Sequence, residues 1–230
     1  MNTDKELLEY KSFLWGNDGN VNRIRQSESL HRCLEKYFFF DKVVCIETGA
    51  SQNKDDGCFG LYLGKIVEST GGEFYSVDID EGVLTNSVKF YSEYLPNVEV
   101  KSFLGDSISY LNNFEGVPNL VHLDSWDLNL KNPVPSMLHG WLEFKAIEGK
   151  MPSGSIILVD DNFLKDTWVN WNYYNNNGVV VNSERIDITY DIVGKGSMIY
   201  HYCKNYDSDW EIIGDHYYVG DSIKLIIRKK

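Results

Sequence analysis

Five apolar runs in this chain each end in an acid. The run Val43–Ile46 leads into Glu47-Thr48-Gly49, and Phe74–Val77 leads into Asp78-Ile79-Asp80. The third ends in Gly105-Asp106-Ser107, the fourth in Asp124-Ser125-Trp126-Asp127 and the fifth in Asp160-Asp161-Asn162. One acid after a strand is ordinary, because acids begin turns and cap helices. Five in the same relation to five strands call for a ligand that carboxylates can hold. That ligand is cationic, or rich in hydroxyls, or both. It is not a pyrophosphate, which needs backbone N–H groups presented by G-x-G-x-x-G. That fingerprint is absent after the first strand, and so is G-x-x-x-x-G-K-[ST].

These acids meet only if the runs lie side by side. Helical patterns over about Asp4–Trp15 and Arg23–Phe39 come first, and strand and helix signals then alternate. Strands are predicted at Lys42–Thr48, Glu73–Asp78, Val98–Leu104, Leu120–Asp124 and Ser155–Asp160. Helices are predicted at Phe59–Val67, Val83–Leu95, Ser107–Leu111 and Met137–Lys150. This order predicts an α/β fold: a doubly wound, mostly parallel, Rossmann-like sheet with N-terminal helices. Ile192–Asn205 is read as helix over strand, and Asn170–Asn177 as an exposed loop or helix end. Trp210–Val219 and Ser222–Lys229 are read as a C-terminal antiparallel hairpin. Residues 1–40 form an N-terminal helical segment and residues 41–230 the Rossmann-like domain. Such sheets bind ligands beyond the carboxyl ends of their strands, where all five acids fall.

S-adenosylmethionine suits such an edge. It has a ribose diol, an ammonium and a sulfonium, and no phosphate. Asp78 is placed to accept both ribose hydroxyls, and Gly49 lets the backbone pass close to a ligand. With ETGA, VDID, GDS, LDSW and VDDN in order, residues 42–163 resemble class I S-adenosylmethionine-dependent methyltransferases. Within that class they are similar to the metal-dependent catechol, caffeoyl-CoA and macrocin-type O-methyltransferases. The resemblance implies that Glu47, Gly49 and Ser51 line the cofactor turn, that Asp78 binds the ribose, and that Asp106 and Ser107 sit near the adenine. It also implies that Asp124 touches both methyl donor and metal, and that Asp161 and Asn162 complete a site for Mg2+ or another divalent cation. Such an ion would lower the pKa of the acceptor hydroxyl. Asp160 is an alternative to Asp161 if the strand end slips by one residue.

Two departures stand out. The turn after the first strand is lengthened by Ser51–Asp56. The lysine that serves as general base in the catechol type is replaced by Asp127, with Lys131 nearby but off the motif. Asp124 and Asp127 are therefore the candidate catalytic acids, with Asp127 read as base, extra metal ligand or neither. The expected reaction is methylation of an acceptor oxygen on a small molecule, a sugar or polyol. Two other functions use the same acids: a metal-dependent hydrolase, and a non-catalytic binding protein on this fold. Asp106 could equally be a plain helix cap.

The remaining residues narrow the setting. Among 230 residues the formal charge is −12, which repels phosphate backbones and anionic lipid. Neither nucleic acid nor membrane is expected as a partner, while a homo-oligomer is left open. The four cysteines form no C-x-x-C pair, and the N-terminus has no apolar core of a signal peptide, so a cytoplasmic setting is expected. His122, inside the fourth strand, is read as a core or supporting histidine. His139 is read as structural. Trp168, Trp171, Tyr173 and Tyr174 are read as a stacking surface, a lid or a subunit contact.

Overall fold

Alternating apolar residues build the sheet. In β1 (Val44–Thr48) Cys45 faces one side and Ile46 the other, and both are buried. Leu120 and Val121 do the same in β4 (Leu120–Leu123), Ile156 and Ile157 in β5 (Ile156–Leu164), and Ile226 and Ile227 in β10 (Ile223–Lys229). A strand apolar on both faces must be covered on both. The computed structural model describes residues 4–14, 21–51, 58–174, 179–205, 208–214 and 222–230.

The first face is covered by α1 (Asp4–Leu14), α2 (Val21–Tyr37), α3 (Phe59–Thr70) and α4 (Glu81–Tyr94). Tyr10, Leu34, Tyr62 and Tyr91 from these helices share one core with Cys45, Leu120, Leu158 and Ile226. The second face is covered by α5 (Ser107–Asn113), α6 (Val134–Ile147) and α7 (Ser197–Asn205). There Leu111, Phe144 and Ile199 pack on Ile46, Val121, Ile157 and Ile227.

With β2 (Glu73–Asp78), β3 (Val100–Leu104), β8 (Ile192–Gly194) and β9 (Trp210–Ile212), the order is β3-β2-β1-β4-β5-β10-β9, and β8 pairs with the far end of β5. β1 to β5 are parallel, while β8, β9 and β10 run antiparallel to their neighbours. The chain winds outward from β1 through β2 to β3, then returns to place β4 on the other side of β1. That reversal opens a crevice beyond the carboxyl ends of β1 and β4. Backbone bonds align its edge: Gly49 N donates to Val77 O (2.9 Å), Asp124 N to Thr48 O (3.0 Å) and Gly105 N to Asp78 O (2.8 Å).

Three expectations are corrected. β5 does not stop at Asp160 but runs to Leu164, because β8 pairs with Asn162–Leu164. Ile192–Asn205 is not one helix: Gly194 and Gly196 separate β8 from α7. Asn170–Asn177 is strand as far as Tyr174, because β6 (Trp168–Tyr174) pairs with β7 (Val180–Asp187) in a separate two-stranded sheet. β9 and β10 form the expected antiparallel C-terminal pair, whose turn lies outside the described residues. Among the described residues no helix is long and apolar enough to cross a membrane.

α6 presses on the turn between β8 and α7 at Gly140, where a Cβ would lie 2.5 Å from the carbonyl oxygen of Lys195. Alanine favours a helix over glycine by about 1 kcal/mol. A backbone clash of this depth costs about 1–3 kcal/mol and outweighs that gain. Gly140→Ala should therefore lower the free energy of unfolding in urea, and an unchanged or raised midpoint would show that the two segments move apart at no cost.

Candidate functional site

Glu47 lies below the edge. In register it sits between Ser76 and His122, and its side chain is fully buried. Its Oε1 accepts from Ser76 Oγ (2.7 Å) and Tyr91 Oη (2.5 Å). Its Oε2 has no hydrogen-bond partner among the described residues. Helix α3 closes over it at Gly60, where a Cβ would come within 2.1 Å of Glu47 Oε2. Burial raises the carboxyl to about 7, against the opposing pull of Tyr91 and Ser76.

Gly49 follows with φ +80°, and a Cβ there would lie 2.4 Å from Asp124 O. Glycine is thus required both by conformation and by the close approach of the β4 backbone. Ser51 is buried, and its Oγ accepts from Gly60 N at 3.4 Å. The rest of the lengthened turn, residues 52–57, lies outside the described residues. Asp78 ends β2 with Oδ2 accepting from Ala50 N (2.9 Å) and Oδ1 from Asp80 N (2.8 Å). Each oxygen keeps a further lone pair for a ligand. Ile79 beside it is 75% exposed, an apolar side chain next to this carboxylate.

Asp106 caps α5, accepting from Ser109 N (2.7 Å), and that backbone bond holds its carboxyl below the usual range. Ser107 Oγ joins a cluster under the rim. Ser125 Oγ donates to Glu143 Oε1 (2.7 Å), so His139 Nε2 must donate to Ser125 Oγ (2.7 Å). Ser107 Oγ lies 3.2 Å from the same nitrogen, and Trp126 stacks on the His139 ring at 5.2 Å. His139 was not singled out from sequence beyond a structural role. The available signal was H-x-x-x-E on α6, which puts His139 and Glu143 on one face.

The β4 and β5 ends hold a cluster of buried charge. On the α3 face the apolar rows turn polar near the edge: Leu120 gives way to His122 and Asp124, Leu158 to Asp160, and Ile226 to Lys224. Lys224, 1% exposed, is ion-paired with Asp160, 2% exposed. Its Nζ lies 3.0 Å from His122 Nε2 and 4.5 Å from the centre of the Phe59 ring. An ammonium has no lone pair, so it donates, and His122 presents a lone pair at Nε2. Above this layer Lys195, also buried, pairs with Asp124 Oδ1 and with Asp161 Oδ2 (3.1 Å). Burial alone would lower the Lys195 pKa, but Asp124, Asp161 and Asp160 outweigh it and raise it above the ordinary lysine value. Burial, with Asp160 and Asp161 nearby, raises the Asp124 carboxyl well above the usual range against the pull of Lys195.

Asn162 is not turned toward this cluster as a ligand. Its Oδ1 accepts from Gly196 N (2.7 Å), and its Nδ2 donates to Val159 O (2.8 Å) and Asp160 O (3.0 Å). The donor set as arranged does not fit a divalent cation. His122, Asp124 and Asp160 converge within 4.8 Å, yet ammonium groups already hold both carboxylates. An ion on the same oxygens would have to share them with these ammonium groups, which repel it. The edge does fit a cationic, phosphate-free cofactor, through the spare lone pairs of Asp78 and the close-passing Gly49 turn.

Asp127 is exposed on the loop between β4 and α6. That loop is tied to the β6–β7 sheet, where Lys131 Nζ donates to Glu184 Oε2 (2.6 Å) and Tyr173 Oη donates to the same oxygen (2.7 Å). Trp168 stacks under the Arg185 guanidinium at 4.9 Å, while the side chains of Trp171 and Tyr174 lie outside the described residues. A groove of about 510 Å³ opens beside this loop, lined by Leu130, Met137, Ile188, Val193, Met198 and His201.

Glu47 binds its proton more tightly in the folded chain, so stability falls as pH rises from its ordinary 4.5 to about 7 and stays reduced above that. The loss is about 3 kcal/mol for this group. Glu47→Gln should match the wild type near pH 5 and exceed it at pH 8 in urea unfolding. A wild type that keeps its lead at pH 8 would mean that Glu47 is ionised at no cost.

No family model matches the sequence, and no curated protein does. Solved structures do match. An S-adenosylmethionine-dependent methyltransferase from Clostridium acetobutylicum superposes with a TM-score of 0.56 over 98% of both chains, at 11% identity. A Streptococcus mutans protein in complex with S-adenosylhomocysteine gives 0.55 over 90% of this chain and 98% of its own, at 12% identity. An rRNA methylase from Streptococcus thermophilus gives 0.53 over 89% and 96%, at 10% identity. The chain has the α/β fold of the class I S-adenosylmethionine-dependent methyltransferases.

Proposed function

We propose that this chain transfers a methyl group from S-adenosylmethionine to an acceptor oxygen of a small molecule. The observation that carries this is the edge at the switch point. There Asp78 keeps acceptor capacity on both carboxylate oxygens, beside a glycine turn that lets a ligand lie against backbone. Asp78 accepts the ribose diol. Asp106 and Ser107 lie toward the adenine, and Glu47 and Ser51 lie under the amino-acid end. Asp124, at the end of β4, lies toward the sulfonium. The bound cofactor supplies an electrophilic methyl group, so the chain has to align the acceptor oxygen and take its proton.

Asp127 is the base. Asp124, Asp160 and Asp161 are each held by a lysine, whereas Asp127 is exposed on the loop that follows β4. A sugar or small polyol is the acceptor class, lodged near the groove beside that loop. The charge of −12 supports a small acceptor over an RNA, whose phosphates it would repel.

Calorimetric titration with S-adenosylhomocysteine should show binding to the wild type. Asp78→Ala should weaken it about 100-fold, the loss of two hydrogen bonds to a charged acceptor. Wild-type protein that binds no S-adenosylhomocysteine would sink the proposal. Asp127→Asn should lower kcat about 100-fold with cofactor affinity unchanged, and an undiminished kcat would remove Asp127 as base.

A further inference from the structure

We infer that Lys195 is the resident cation of this site and takes the place of a divalent metal, holding Asp124 and Asp161 in position at the rim. Its ammonium bridges the two carboxylates from a side chain that is 3% exposed. It is a positioning residue: it acts on the reacting groups through the acids that it holds.

The local backbone is built around it. Gly194 has φ +142°, and a Cβ there would lie 2.0 Å from Asp161 O. Gly196 donates its N–H to Asn162 Oδ1, and Ser197 Oγ donates to Gly194 O (2.9 Å). From α6, Gly140 leaves room for Lys195 O. Asp161 has φ +51°, in the left-handed region that few non-glycine residues adopt. The pairing of β5 with β10 is irregular at the same place, shifting between Ile223 and Leu225. Asn162 fixes the turn that carries Lys195 through its amide oxygen, while its amide nitrogen donates to Val159 O and Asp160 O of its own strand. Lys224 repeats the arrangement one layer down on Asp160. A metal on Asp124 Oδ1, Asp161 Oδ2 or Asp160 Oδ2 would compete with an ammonium group for that oxygen.

The inference concerns the same acid rim as the proposed methyl transfer, but metal affinity is read without turnover, so the two fail separately. Chelator-stripped protein is titrated with Mn2+ and followed by electron paramagnetic resonance. The wild type should leave the free Mn2+ signal undiminished up to about 0.1 mM, above the range of buffer and sensor sites. Its S-adenosylhomocysteine affinity should be equal in EDTA and in Mg2+. Lys195→Ala frees two carboxylates and should bind Mn2+ at least about tenfold more tightly than the wild type. Adding Asp161→Asn should abolish that gain. Lys195→Met is the second variant, with its fold checked by circular dichroism, and should behave alike. The wild-type titration decides even if neither variant folds. One tightly bound Mn2+ in the wild type, lost in Asp161→Asn, would overturn the inference. So would a folded Lys195 variant with no gain in Mn2+ affinity. Absence of S-adenosylhomocysteine binding would instead count against methyl transfer and leave the Mn2+ result standing.

Discussion

A charge cannot be taken out of water alone. Lys224 and Asp160, both almost wholly buried, satisfy that constraint only together, and much of the site follows from it. Asp160 must reach across from β5 to β10, which goes with the irregular register there. The next carboxylate, Asp161, is turned the other way by its positive φ and meets Lys195. Lys195 has to be delivered from a turn narrow enough to enter between β5 and α6, hence the glycines at 140, 194 and 196 around it. Removing one member of such a cluster leaves its partner buried and uncompensated, which is costlier than never having had the pair.

The acids on the edge share a position in the fold but not a chemistry. Glu47, sealed under α3, tends toward the neutral acid. Asp106, facing solvent and bonded to a backbone N–H, stays ionised. Asp78 clamps two turns through one lone pair on each oxygen. Asp124 and Asp161 are tethered to a fixed cation, while Asp127 faces solvent. What separates them is the neighbour each one meets: apolar wall, backbone amide, ammonium or water.

The order of elements was legible because it rests on local patterns. Apolar alternation placed β1 to β4 within about two residues, and Gly71-Gly72 and Pro96 marked the ends of α3 and α4. The pattern misled where pairing overrides local preference. Polar Asn162 and the Asn-rich Trp168–Tyr174 do not look like strands, yet β8 and β7 recruit them. His139 carried only a faint signal, since Glu143 four residues on gains meaning once α6 lies against Ser125.

The sequence by itself determined which acids reach the edge, because a strand's end and the next helix's start are neighbours in the chain. It also showed that both common phosphate-binding motifs are absent after the first strand. Tertiary structure alone decided what those acids can do. Lys195 is 71 residues from Asp124, and Lys224 is 102 residues from His122. In sequence, one is a residue between two glycines and the other a residue of an apolar strand. Only the folded sheet brings them within hydrogen-bond reach of the acids, and the low dielectric of that interior makes the pairing obligatory.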